Sequence, residues 1–182
     1  MGIKERQAVM RPLDIVILLK KISPAGYSMN GKQLAESLGI SAAEVSIALE
    51  RNRIAGLVDS EKTRVNVLAL MDFLVYGIRY CFPVQPGSLV RGIPTASSAN
   101  PIKSRITSNG EDYVWRNPNG TARGQAITPL YDNVHIAVKN DGDFYAMLTI
   151  VDSLRLGKTR ERQAAIEELK KYISQYVSFK QQ

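Results

Sequence analysis

At Gly39 two helical patterns meet, and the stretch around it, QLAESLGISAAEVSIALERNRIAGLVD (33–59), leaves the chain few ways to fold. Leu34, Ala35 and Leu38 recur at helical spacing, and Gly39 stops that helix where a sharp turn wants a left-handed backbone. Ser41 followed by Glu44 is a capping box that opens the next helix. The inner face of this second helix is Val45, Ala48 and Leu49, and it ends before Gly56. Ala35 lies where the two helices pass closely, so its side chain has to be small. Ser41, Ala42, Ala43, Ser46, Ile47 and Glu50 are left facing outward.

The flanks extend the pattern. Pro12 suits the first turn of a helix that carries Leu13, Val16, Ile17 and Leu19, and Ser23-Pro24-Ala25-Gly26 breaks it. After the pair, Leu57–Asp59 and Thr63–Val65 read as the arms of a short hairpin around Ser60-Glu61-Lys62. Asn66 then caps a long apolar helix, VLALMDFLVYGIRYCF, which Pro83 ends. Its composition predicts burial on most sides, in a core or a subunit interface.

Ala35, Gly39 and Val45 are spaced four and then six residues apart, with a helix before the pair and a hairpin after it. Over roughly residues 11–80 this resembles the winged helix-turn-helix of MarR-like and related prokaryotic regulators. The resemblance implies sequence-specific binding of double-stranded DNA by a transcriptional regulator, a repressor or the DNA-binding, antitoxin-like partner of a toxin-like protein. Such regulators bind as homodimers with two reading heads. The outward face would then meet the major groove. Ser41 and Ser46 can hydrogen-bond bases or phosphates, while Ala42, Ala43 and Ile47 can touch thymine methyls. Glu50 repels phosphate unless it accepts from a cytosine amino group. Lys32, Arg51, Arg53, Lys62 and Arg64 are placed for backbone phosphates. The N-terminal half of the helix offers no Arg, Asn or Gln for bidentate base readout. Residues 1–66 hold ten Lys/Arg against seven Asp/Glu, a net +3 of the chain's +7. A protein-interaction adaptor using the same fold is therefore the alternative.

The sequence divides at residue 82. From Val84 to about Asn140 Pro, Gly, Ser and Asn dominate, with SSANP and NPNG as turn signals. Tyr113-Val114-Trp115 and Ala126-Ile127 look like strand fragments in a loop-rich segment. Helix returns with Phe144, Met147, Leu148, Val151 and Leu154 on one stripe. After Gly157 come Ile166, Leu169, Ile173 and Tyr176 on another, expected to hold a dimer together. The fold class this predicts is mainly α: a winged helix-turn-helix over 1–82, then a loop-rich segment and C-terminal helices over 83–182. Two Arg-Gly pairs, Arg91-Gly92 and Arg123-Gly124, can present a guanidinium and open backbone N–H groups to one anion. Arg155, Lys158, Arg160 and Arg162 form a further basic run open to an anionic or protein partner.

Little points to an enzyme. With one histidine, His135, and one cysteine, there is no zinc ligand set, and no phosphate loop, dinucleotide fingerprint or nucleophile elbow occurs. No cofactor, metal or catalytic residue is expected. Cys81, between Tyr80 and Phe82, reads as a small buried hydrophobe. No apolar run reaches the roughly 18 residues of a membrane span. The longest, LDIVILL, contains Asp14 and ends in Lys20-Lys21, which marks a buried helix of a cytoplasmic protein.

Overall fold

The molecule is built around α1 (Pro12–Ile22), in which Ile15, Val16, Ile17, Leu18 and Leu19 are all fully buried. A surface helix hides one stripe; this one is enclosed on every side because α2 (Gly31–Leu38), α3 (Ala42–Ile54), α7 (Gly142–Leu156) and α8 (Thr159–Lys180) all touch it. Each of those five side chains contributes about 1.5–3 kcal/mol by leaving water. The structure, a computed structural model, describes residues 9–107, 110 and 112–181.

Charges at both ends of α1 are tied inward. Asp14 is fully buried and receives the Arg51 guanidinium at 2.7 Å and the Arg11 backbone N–H at 2.8 Å. Lys20, 3% exposed, pairs with Asp141, the residue whose carboxylate caps α7 through the Phe144 N–H. Its ammonium also lies 5.0 Å from the centroid of the Phe144 ring. The sequence halves before and after residue 82 thus share one hydrophobic core, running from Ile15 to Tyr176.

Downstream of α3 a single antiparallel bridge, Val58 to Val65, stands where a hairpin was expected. Asn66 caps α4 (Val67–Asp72), which continues through a π-helical turn (Phe73–Gly77) into α5 (Ile78–Cys81). This run is amphipathic, not enclosed. Leu70, Leu74, Val75 and Ile78 are buried, whereas Leu68, Tyr76 and Tyr80 are more than 70% exposed. Cys81, expected in the core, is exposed.

The prediction of a mainly α chain is overturned between residues 84 and 130. There β1 (Leu89–Pro94), β2 (Tyr113–Arg116) and β3 (Ala122–Ala126) close into a three-stranded barrel. β1 runs antiparallel to both partners, and β2 and β3 are parallel to each other. The fold is α plus a small mixed sheet, and the segment read as loop is its β part. Glycine is the physical reason the strands were hidden. A Cβ on Gly92 would stand 2.1 Å from the Trp115 carbonyl oxygen, and one on Gly120 would stand 2.2 Å from Gly92. Closure with so few strands brings backbones into contact, so side chains that would have shown a two-residue alternation are missing.

The barrel is fastened to α7 by a buried polar knot. Asp152, 1% exposed, accepts from the Thr95 hydroxyl at 2.8 Å, the Trp115 indole N–H at 2.7 Å and Arg155 at 2.8 Å. Arg155 also donates to the carbonyls of Phe82 and Thr128. Short helix α6 (Val134–Val138) then leads into α7, and α8 folds back on α7. The α8 stripe is largely consumed inside the chain: Leu169 is fully buried, and the Tyr176 hydroxyl receives the Val65 N–H at 3.2 Å. Among the described residues no helix is long and apolar enough to cross a membrane.

Candidate nucleic-acid interface

The turn between α2 and α3 has the geometry the sequence asks for. Asn30 caps α2 by accepting the Gln33 N–H, and Gly39 ends it at φ 66°, the left-handed region where a side chain is strained. Ser41 accepts the Glu44 N–H at 3.1 Å, and Glu44 accepts the Ser41 N–H at 2.9 Å. These bonds hold the Glu44 carboxyl below its ordinary range, so the first turn of α3 carries a fixed negative charge.

Ser41, Ala42, Ala43, Ser46 and Ile47 are all exposed along one side of α3, and Ile54 continues that side. Val45, Ala48 and Leu49 turn into the core. The face is therefore open, short in its polar side chains and apolar at Ile47 (55% exposed) and Ile54 (58%).

Its cations are arranged differently from the expectation. Arg51, assigned to phosphate, gives its guanidinium to buried Asp14 and fastens α3 to α1. Asn52 reinforces that junction by donating to the Asp14 carbonyl. Arg53 and Lys62 both converge on Glu50, at 2.6 Å each. Hydrogen bonds from Arg53 and then Lys62 hold the Glu50 carboxyl down at about 2. The loop that carries Lys62 is organised by Asp59, which accepts the N–H groups of Thr63 and Arg64. Lys62 itself adopts φ 60°. Lys32 and Arg64 are exposed, and neither side chain forms an ion pair with a described residue.

The other basic positions separate in the same way. Arg155 is a core residue, locked as described above. Arg162 donates to the Val75 carbonyl and is half-buried, while Lys158 and Arg160 are exposed at the start of α8. Arg91 and Arg123 come together on the barrel, directly opposite one another in the β1–β3 register. The sequence reading missed two contributors to the turn. The Asn133 amide donates to the Gly39 carbonyl at 2.8 Å, and the Ile136 side chain, 48% exposed, lies beside Gly39. They are more than 90 residues away in the chain, so no local pattern could have signalled them. Among the described residues no group of His, Cys, Asp and Glu stands close enough to hold a metal ion.

No family model, no curated protein and no solved structure matches the chain.

Proposed function

We propose that the protein binds duplex DNA through the exposed side of α3 and acts as a transcriptional regulator, in the manner of the MarR-like proteins that its helix pair resembles. One observation carries this reading. A helix fixed by a capped turn at one end and by the Arg51–Asp14 pair at the other leaves Ser41, Ala42, Ser46 and Ile47 outward, uncovered by the described residues. A rigid, small-residue helix face can enter a major groove, where serines hydrogen-bond and methyl-bearing side chains meet thymine. Lys32 and Arg64 supply backbone contacts from either side. With Arg53 and Lys62 both engaged by Glu50, which offsets one of their two charges, one head binds weakly, so a homodimer reading an inverted repeat is part of the proposal. The test is a gel shift of the purified protein with its own upstream DNA against a scrambled duplex. Specific retardation is expected, and equal binding of both duplexes overturns sequence-specific readout.

A second reading, an adaptor that binds protein through the same face, is favoured by one feature. Exposed Ile47 and Ile54 flank a charge cluster in which Glu50 offsets one of the two cations, Arg53 and Lys62, which suits an apolar partner surface as well as phosphate. Ile54→Ser separates the two, because it weakens protein docking while leaving the DNA-reading residues Ser41, Ala42, Ser46 and Ile47 in place.

A further inference from the structure

Arg91 on β1 and Arg123 on β3 face each other directly across an antiparallel pair. Like charges so placed repel and weaken a sheet. Four arginines elsewhere have acidic partners: Arg51 has Asp14, Arg53 has Glu50, Arg105 has Glu167 and Glu168, and Arg155 has Asp152. Neither Arg91 nor Arg123 makes an ion pair or side-chain hydrogen bond with any described residue, and both are exposed. They line one cleft with Leu89, Val90, Thr121 and Ala122, and among the described residues no acid lines it. Each is followed by a buried glycine at which backbones of the barrel approach closely, so the register sets both side chains out from the same side of the β1–β3 pair. Arg116 stands across from Gly92, one register step away.

We propose that this cleft is a second DNA-binding surface, in which Arg91 and Arg123 clamp the phosphate backbone of duplex DNA independently of sequence. Directly opposed residues on an antiparallel pair have Cβ atoms about 4.5–5.5 Å apart. Two long forked side chains from that base reach adjacent phosphates of one strand, and guanidinium is the group that grips phosphate bidentately. The repulsion that burdens the free sheet is relieved when an anion enters. The choice of duplex DNA as that anion rests on the α3 reading, where Arg51, Arg53 and Lys62 are engaged by acids and further phosphate contacts strengthen binding.

The test is anisotropy of a labelled duplex of unrelated sequence between 50 and 200 mM salt, with the parent and Arg91→Gln/Arg123→Gln. Two lost phosphate contacts lower the log–log salt slope by about 1.8, so parent affinity falls roughly tenfold more than the variant's over this range. The melting temperature of the double variant should be equal to the parent's or higher, because the like-charge pair is gone. A merely structural role would lower it. Loss of specific retardation in Ser46→Glu reports on the α3 reading, and the salt slope of Arg91→Gln/Arg123→Gln on the unrelated duplex reports on the clamp, so the two failures are told apart. An unchanged slope in Arg91→Gln/Arg123→Gln overturns the proposal. So does a double variant that loses binding to a Glu-rich peptide while its duplex binding is intact, since the cleft is then a site for an acidic protein segment.

Discussion

Glu50 sits at the surface between Arg53 and Lys62, whereas Asp152 is enclosed with Arg155, Thr95 and Trp115. The two acids have different consequences. The folded-state value of Glu50, about 2, lies below the ordinary 4.5. Its pairs therefore contribute fully above about pH 4.5 and are lost as pH falls through 2. A carbon-detected titration should place its midpoint near 2, and Lys62→Ala should raise it; a parent midpoint near 4.5 contradicts the pairing. For Asp152, burial pushes the carboxyl upward against the charge of Arg155 and the bonds from Thr95 and Trp115. Asp152→Ala strands a buried guanidinium and should cost about 3–5 kcal/mol in urea unfolding. A loss below about 1 kcal/mol would show that the knot is not holding the barrel to α7. Arg51 belongs with this group: Arg51→Ala reports on stability more than on phosphate contact.

The helices and their caps were legible because their signals are local. Asn30 with Gln33 and Ser41 with Glu44 lie three residues apart, and Gly39 and Gly157 stop helices where the pattern says they should. The barrel was not legible, since its determinants are the absence of side chains at Gly92 and Gly120 and pairings between distant segments. Tyr113–Trp115 was visible as a strand, and β1 was not. The outward side of α3 was readable from periodicity, but Arg51 turning inward to Asp14, 37 residues away, was not. Gly92→Ala should force β1 away from β2, opening the pocket around Trp115, which is 2% exposed. A red shift of tryptophan emission with loss of cooperativity is expected. Unchanged emission would mean that the strands can separate without disturbing Trp115.

Across the molecule one core joins the α1–α3 unit to the barrel and the C-terminal helices, so a lesion in the α8 stripe acts on folding before it acts on assembly. Leu169→Asp, in a fully buried position, should unfold the chain and not simply release monomers. Light scattering should give a mass of twice 20.2 kDa for the proposed homodimer, and a particle of 20.2 kDa would remove it. The claim on which the functional reading stands is that the exposed side of α3 meets DNA. It is tested most directly by the affinity of Ser46→Glu for the duplex retained in the gel shift, alongside its melting temperature. Ser46 is exposed and makes no side-chain bond to a described residue, so the fold should be unaffected. A loss of specific affinity of about a hundredfold, with unchanged melting, is the expected result. Parent-like affinity in the folded variant would contradict DNA recognition by this helix.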